Sequence, residues 1–145
     1  MYFIDRTKME TTLTYLETIT ATYKSNQEWT TDLHKLSLER MVHLIIESIL
    51  DVGNAMIDGF IMRDPGSYED IIDILEDEKV VHAEQAKSLK RVIGFRKAIV
   101  QEYVSVDHTA LIEVLNKELE AIQAFPTAIR TYLENELGPV SAFKS

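Results

Sequence analysis

No proline interrupts the chain between Asp32 and Phe60, and that stretch carries Leu33, Leu36, Met41, Leu44, Ile45, Ile46, Ile49, Leu50, Val52, Met56 and Ile57. On a helix these side chains cover most of the circumference. A surface helix keeps its apolar residues to one stripe, whereas a helix apolar nearly all round must be covered by neighbours on several sides. The rest of the chain therefore has to form a coat around this segment. One line of polar residues, Arg40, His43, Glu47, Asp51, Asn54 and Asp58, steps along it by three or four positions and shares one face. Unpaired buried charge is costly, so this seam must meet solvent, a partner or a site. Its plainest occupation is a solvated strip holding ion pairs such as Arg40–Glu47.

The coat is also helical. Leu13, Leu16 and Ile19 or Thr20 recur at helical spacing in a first helix from near Thr7 to Tyr23. Thr30, Thr31 or Asp32 can cap the second. Asp64-Pro65-Gly66 marks a turn. Ser67 caps a short third helix, with Asp70 in the place of a capping-box acid and Tyr68, Ile71, Ile72 and Leu75 on the apolar face. Glu76, Asp77 and Glu78 oppose the helix dipole and stop it early. Leu89, Val92, Ile93, Phe95, Ile99 and Val100 predict a fourth helix from Ala83 to Tyr103 or Val104. Asp107 caps a fifth, which Pro126 ends or kinks, and a final segment from Thr127 to Leu137 stops at Gly138. No segment alternates like a strand. The expected fold class is all-α, an up-and-down bundle of five to six helices forming one domain over residues 1–145.

Charge narrows the function. The formal net charge is −9, so the overall field does not attract a nucleic acid. Any contact with RNA needs a local basic patch, and one exists: Lys87, Lys90, Arg91, Arg96 and Lys97 fall between Lys87 and Gln101 with no acid among them. Without those five, 10 basic residues face 24 acidic ones. This segment either meets a polyanion or docks on acidic neighbours such as the second-helix seam, and the two are compatible. With no cysteine, disulfides and thiolate metal sites are excluded, which fits a reducing compartment. Asp5, Arg6, Lys8 and Glu10 break any apolar run that could act as a signal peptide, and no stretch approaches the roughly 18 uncharged apolar residues of a membrane span. The expected location is cytoplasmic, with no membrane contact.

Elimination leaves little chemistry. There is no Gly-rich phosphate loop and no His-rich metal spacing. His43 and Glu47 stand one turn apart and could hold a metal, but a pair alone reads better as a polar contact. No metal and no cofactor is expected.

Residue patterns go further. The stretch Gly94-Phe95-Arg96-Lys97-Ala98-Ile99-Val100-Gln101-Glu102-Tyr103 resembles the signature of HepT-like toxins, a branch of the HEPN superfamily: an arginine, four residues, a histidine, one residue and a tyrosine. Glu47-Ser-Ile-Leu-Asp51-Val-Gly-Asn54 resembles that family's second helix, and Pro65-Gly-Ser67-Tyr68-Glu-Asp70 its Pro-x-Ser-Tyr turn and third helix. The three blocks stand in the family's order. The phrase Met-Ile-Asp-Gly-Phe-Ile-Met-Arg-Asp-Pro-Gly-Ser-Tyr and the ending Glu-Leu-Gly-Pro-Val-Ser-Ala-Phe resemble a narrower bacterial branch. The resemblance implies a HEPN-like bundle that forms a homodimer, with two signatures meeting in a metal-independent RNA-cutting site. It also implies a nucleotidyltransferase-type antitoxin that silences the toxin by attaching AMP to the motif tyrosine.

Carried over, Arg96 is the motif arginine and Tyr103 the motif tyrosine and AMP acceptor. Glu47 and Asp51 are the acids near the site, and Lys97 stands where a small polar residue is usual. Gln101 replaces the histidine. A glutamine can hydrogen-bond a phosphate or base but cannot exchange protons near neutral pH, as histidine does. His108, seven residues on, is the weaker substitute because it lies past the helix end. On a regular helix Arg96 and Tyr103 share a face, while Gln101 lies about 140° from Arg96. The expected function is a ribonuclease of toxin–antitoxin type with attenuated or lost cleavage and with RNA or nucleotide binding kept. The alternatives are a non-catalytic module that binds a nucleotide, an RNA or an antitoxin, and a plain oligomerising scaffold.

Overall fold

The computed structural model describes residues 4–138, so residues 139–143 of the ending noted above lie outside the described residues. Helix α1 spans Arg6–Ser25, α2 Asp32–Gly59, α3 Tyr68–Asp77, α4 Ala83–Ile93, α5 Arg96–Val100 and α6 His108–Leu137, with a 3₁₀ turn at Tyr103–Ser105 before α6. The architecture is the expected all-helical bundle.

Helix α2 is the axis. It packs against α1, α3, α5 and α6, and it buries Leu38, Met41, Val42, Ile45, Ile46, Ile49, Leu50, Val52, Met56 and Ile57. Thr31 caps it: the Thr31 hydroxyl accepts from the His34 amide, and His34 Nδ1 accepts from the Thr31 amide. Leu33 and Leu36, ahead of the packed region, stay exposed. Helix α1 contributes Met9, Leu13, Leu16, Thr20 and Tyr23, spaced by four and three, to the buried stripe. The Thr20 hydroxyl needs no outside partner because it donates to the Leu16 carbonyl at 2.7 Å.

Two expected boundaries move. The predicted fourth helix does not run to Tyr103. It stops at Ile93, turns through Gly94 and Phe95, and restarts as α5. The core requires this. Ile93 and Ile99 are both buried, yet six residues on one helix separate them by about 240°, so an unbroken helix would turn one of them outward. Gly94, a poor helix former, sits where the register resets, and the Phe95 amide bonds the Val92 carbonyl, a tighter turn than the α pattern. The second change is at Pro126, which neither ends α6 nor separates a final segment. Helix α6 runs through it, because Ile122, Phe125, Ile129 and Leu133 keep one buried stripe across the proline. A proline inside a helix costs about 3 kcal/mol, and packing of those four side chains outweighs it. Gly138, with φ 80°, stops the helix as expected.

The basic segment is largely consumed by the fold. Lys90 bonds Asp73 on α3 at 2.7 Å, and Arg91 bonds the buried Glu118 on α6 at 2.8 Å. At the far end, Arg130 of α6 pairs with Glu10 and Glu17 on α1.

Gly53 lets α3 approach α2. A Cβ at this position would lie 2.5 Å from Ile71 Cγ2, a branched atom with no freedom to swing away. Alanine gains about 1 kcal/mol of helix propensity, but overpacking a full core costs about 1–3 kcal/mol. Gly53→Ala is expected to lower stability by about 1 kcal/mol in urea unfolding, and an unchanged or higher midpoint would contradict the tight α2–α3 contact.

Candidate active site at the meeting of α2, α3 and α5

The restart of the chain at Phe95 makes Arg96 the first residue of α5 and turns its side chain onto α2. Arg96 Nε–H donates to Glu47 Oε1 at 2.7 Å. The guanidinium carbon lies 4.4 Å from the centroid of the Tyr68 ring, a cation–π contact. His43, one turn before Glu47, places Nε2 at 3.8 Å from the same Oε1. Three helices thus converge on one guanidinium, that of Arg96. The side chains of Arg96, His43 and Glu47 stay 23%, 31% and 33% exposed, so a solute can reach the cluster. The hydrogen bond that Arg96 donates to Glu47 holds the guanidinium above its already high ordinary pKa, and Arg96 is cationic at every working pH.

Tyr68 is held by the turn before it. Ser67 caps α3 by accepting from the Asp70 amide, as expected. The Asp70 carboxylate does not close the capping box on Ser67, however. It accepts from the Gly66 amide at 2.8 Å and from both terminal nitrogens of Arg63 at 2.7 and 2.9 Å. Two charge-assisted bonds from a planar fork outcompete one amide. They lower the Asp70 pKa from 3.8 to about 2, Arg63 contributing most and the Gly66 amide next.

The other residues singled out by sequence are distributed less tightly. Gln101 ends α5 and is exposed; Tyr103 opens the 3₁₀ turn and is 66% exposed. Because the helix has broken, Arg96 and Tyr103 stand in separate elements and do not share one helix face. Lys97 is exposed on α5. Asp51 is also exposed and lines a groove with Asp5, Lys8 and Asp58 between α1 and α2; the contacts of Arg96 do not include it. The Arg40–Glu47 pair does not form, since Glu47 serves Arg96 and His43. His108 opens α6, and its Nε2 lies 2.7 Å from Glu39 Oε2. Tyr68 is a site residue that its helical spacing with Ile71, Ile72 and Leu75 on the apolar face of α3 conceals in the sequence. Its signal was its place in the Pro-x-Ser-Tyr block. Among the described residues no group of three or more His, Cys, Asp or Glu side chains converges to hold a metal.

The model of the family described as ribonuclease HepT-like matches residues 9–129. The chain belongs to the HepT-like ribonuclease family. A protein of Bacillus subtilis (strain 168) named "Putative RNase YutE" is 53% identical over 144 residues, covering 99% of this chain and 100% of that one. A solved structure of YutE from Bacillus subtilis, described as a cytosolic protein of unknown function, matches with a TM-score of 0.95 at 52% identity, again over 99% of this chain and 100% of that one. A tri-AMPylated HEPN toxin of Shewanella oneidensis, solved in complex with its MNT antitoxin, shares the fold at TM-score 0.71 and 18% identity, covering 86% of this chain and 95% of that chain. This HepT-like chain therefore has the fold expected from its motifs. Among its described residues no helix is long and apolar enough to cross a membrane.

The Arg63–Asp70 clamp has a pH signature. A carboxyl whose pKa is depressed on folding contributes stability that is present above its unfolded value and lost as pH falls. For Asp70 the loss runs from near pH 4 down to about pH 2. Asp70→Asn is expected to lower the unfolding midpoint at pH 7 and to flatten the acid limb over that window. An acid limb as steep in the variant as in the wild type would contradict the clamp.

Proposed function

We propose that this HepT-like protein is a cytoplasmic ribonuclease of toxin–antitoxin type whose cleavage is attenuated, and that it binds RNA through Arg96. The observation that carries the reading is the placement of Arg96. Glu47 takes its Nε–H and Tyr68 supports one face of the guanidinium, which leaves the terminal nitrogens to meet a phosphate. Such a fork binds phosphate in a fixed geometry and stabilises charge that develops there. Attenuation follows from Gln101, whose amide cannot act as acid or base near neutral pH. General acid–base help is typically worth about 10²–10⁴-fold, and the motif position no longer supplies it.

The working form is a two-fold dimer in which two copies of the α5 signature share one cleft. Exposed Leu33 and Leu36 on α2 and Val104, 89% exposed beside Tyr103, supply apolar surface for a second copy. Tyr103 is the AMP acceptor. Its phenol is exposed beyond the end of α5, within reach of a nucleotidyltransferase-type antitoxin. The AMPylated Shewanella toxin, alike in fold, supports this partner class. The second reading, a binding module without catalysis, is favoured by Gln101 alone.

Gln101→His is expected to raise cleavage of single-stranded RNA by about 10²–10⁴-fold. No gain, together with no growth inhibition, would reject the toxin reading. Arg96→Ala is expected to abolish RNA binding with the fold intact; retained affinity would place the phosphate site elsewhere. Incubation with ATP and a cognate nucleotidyltransferase is expected to add one or more AMP masses to the wild type and none to Tyr103→Phe, and an unchanged wild-type mass would count against the acceptor.

A further inference from the structure

The four histidines differ in what their ring nitrogens are doing. His34 Nδ1 accepts the Thr31 amide and helps start α2. His82 Nδ1 accepts the Gln85 amide and starts α4. His108 Nε2 lies 2.7 Å from Glu39 Oε2 and ties the start of α6 to α2. His43 alone is left without such a role, since among the described residues no hydrogen bond takes either of its ring nitrogens. Its contact with Glu47 is 3.8 Å, too long for a hydrogen bond. The same Glu47 oxygen holds Arg96 at 2.7 Å. An uncommitted imidazole and a fixed guanidinium therefore flank one carboxylate at a place that solvent reaches.

We propose that His43, on α2, is the proton-transfer group of this site and carries the residual cleavage that Gln101 cannot support. The inference rests on the RNA-cleaving reading given above. Arg96 holds the phosphate. Neutral His43 Nε2 takes the proton of the adjacent 2′-hydroxyl while the 2′-oxygen attacks phosphorus. The O2′–P bond forms and the P–O5′ bond breaks, its electron pair leaving on the 5′-oxygen. That oxygen takes a proton from water, and the hydroxide so formed receives the proton from the imidazolium. The products are a 2′,3′-cyclic phosphate and a free 5′-hydroxyl, and His43 returns to its neutral form. Glu47 stabilises the imidazolium between the two transfers. His43 meets Glu47 directly; Glu39 lies one turn before it on α2 and Arg40 three residues before it, Arg96 from α5 shares Glu47 and carries Tyr68 of α3 against its face, and His108 from α6 pairs with Glu39.

The test measures single-turnover cleavage and equilibrium binding of an end-labelled single-stranded RNA by the full chain. It compares wild type, Arg96→Ala, His43→Ala, His43→Gln, Gln101→His and the double variant Gln101→His with His43→Ala. The expected result is slow, Arg96-dependent cleavage by wild type, reduced at least tenfold in both His43 variants. RNA affinity stays within twofold and the unfolding midpoint is unmoved. The double variant keeps most of the gain given by Gln101→His. Cleavage by either His43 variant at the wild-type rate would overturn the inference, as would a loss of affinity that matches the loss of rate. Wild type inert while Gln101→His cleaves would overturn it too, and would leave the reading of the site standing. If neither wild type nor Gln101→His cleaves, the reading itself fails and the inference with it.

Discussion

A helix buried on most of its circumference can carry charge only along one line, and in this protein that line organises everything chemical. Helix α2 turns its apolar residues to α1, α3, α5 and α6, so its seam is where neighbouring elements must satisfy its polar groups. Glu39 takes His108 from the start of α6, and Glu47, two turns on, takes Arg96 from the start of α5. Further along, Asp51 and Asp58 open into the groove against α1. Two helix starts are thus pinned to one face of the central helix, and the exposed segment between them carries Gln101 and Tyr103.

The break at Gly94 is the other determinant. The cations before and after it dock on three different helices: Lys90 on α3, Arg91 on α6 and Arg96 on α2. One straight helix could not aim them so, since Arg91 and Arg96 would be fixed about 140° apart while both packing stripes stayed inward. Resetting the register at a residue with low helix propensity allows α4 to sit on α3 and α6 while α5 turns to α2. The basic segment therefore serves mainly to assemble the bundle, and Arg96 reaches the site as one consequence of that assembly.

Much of this was legible in the amino-acid order. The central helix, the polar seam, the caps at Ser67 and Asp107, a cap within Thr30–Asp32 that falls at Thr31, and the stop at Gly138 follow from periodicity and local hydrogen bonding, which act over a few residues. The break at Gly94 left a trace, the six-residue step from Ile93 to Ile99, but Phe95 between them masks it by continuing the apolar run. The passage through Pro126 could not be read locally, because what offsets the missing bond is burial of Phe125 and Ile129 against distant helices. Site pairings were the least legible. Glu47 had Arg40 as a partner in sequence and Arg96 as its partner in space, 49 residues away. Motif blocks pointed to Arg96 and Glu47, but the placement of Tyr68 under the guanidinium and the freedom of His43 depend on tertiary contacts.

The Arg96–Glu47 pair is partly exposed, and ion pairs that water reaches contribute only about 0–1 kcal/mol. Its effect on the fold is small; its effect on geometry is not. An unrestrained arginine carries about 2 kcal/mol of rotamer entropy that binding must overcome, whereas one held at Nε and supported on an aromatic face has already lost much of it. Pairing also cancels most of the local charge, in a chain whose net charge of −9 repels a polyanion at a distance. Recognition at such a site therefore cannot lean on long-range attraction or on counterions released by many phosphates. The RNA binding proposed for Arg96 would have to come from short, directed hydrogen bonds to one or a few phosphates, and so from the position of a single guanidinium. In that setting His43, one turn before Glu47 on α2, is the titratable side chain placed to act beside Arg96 if the proposed phosphate site is used.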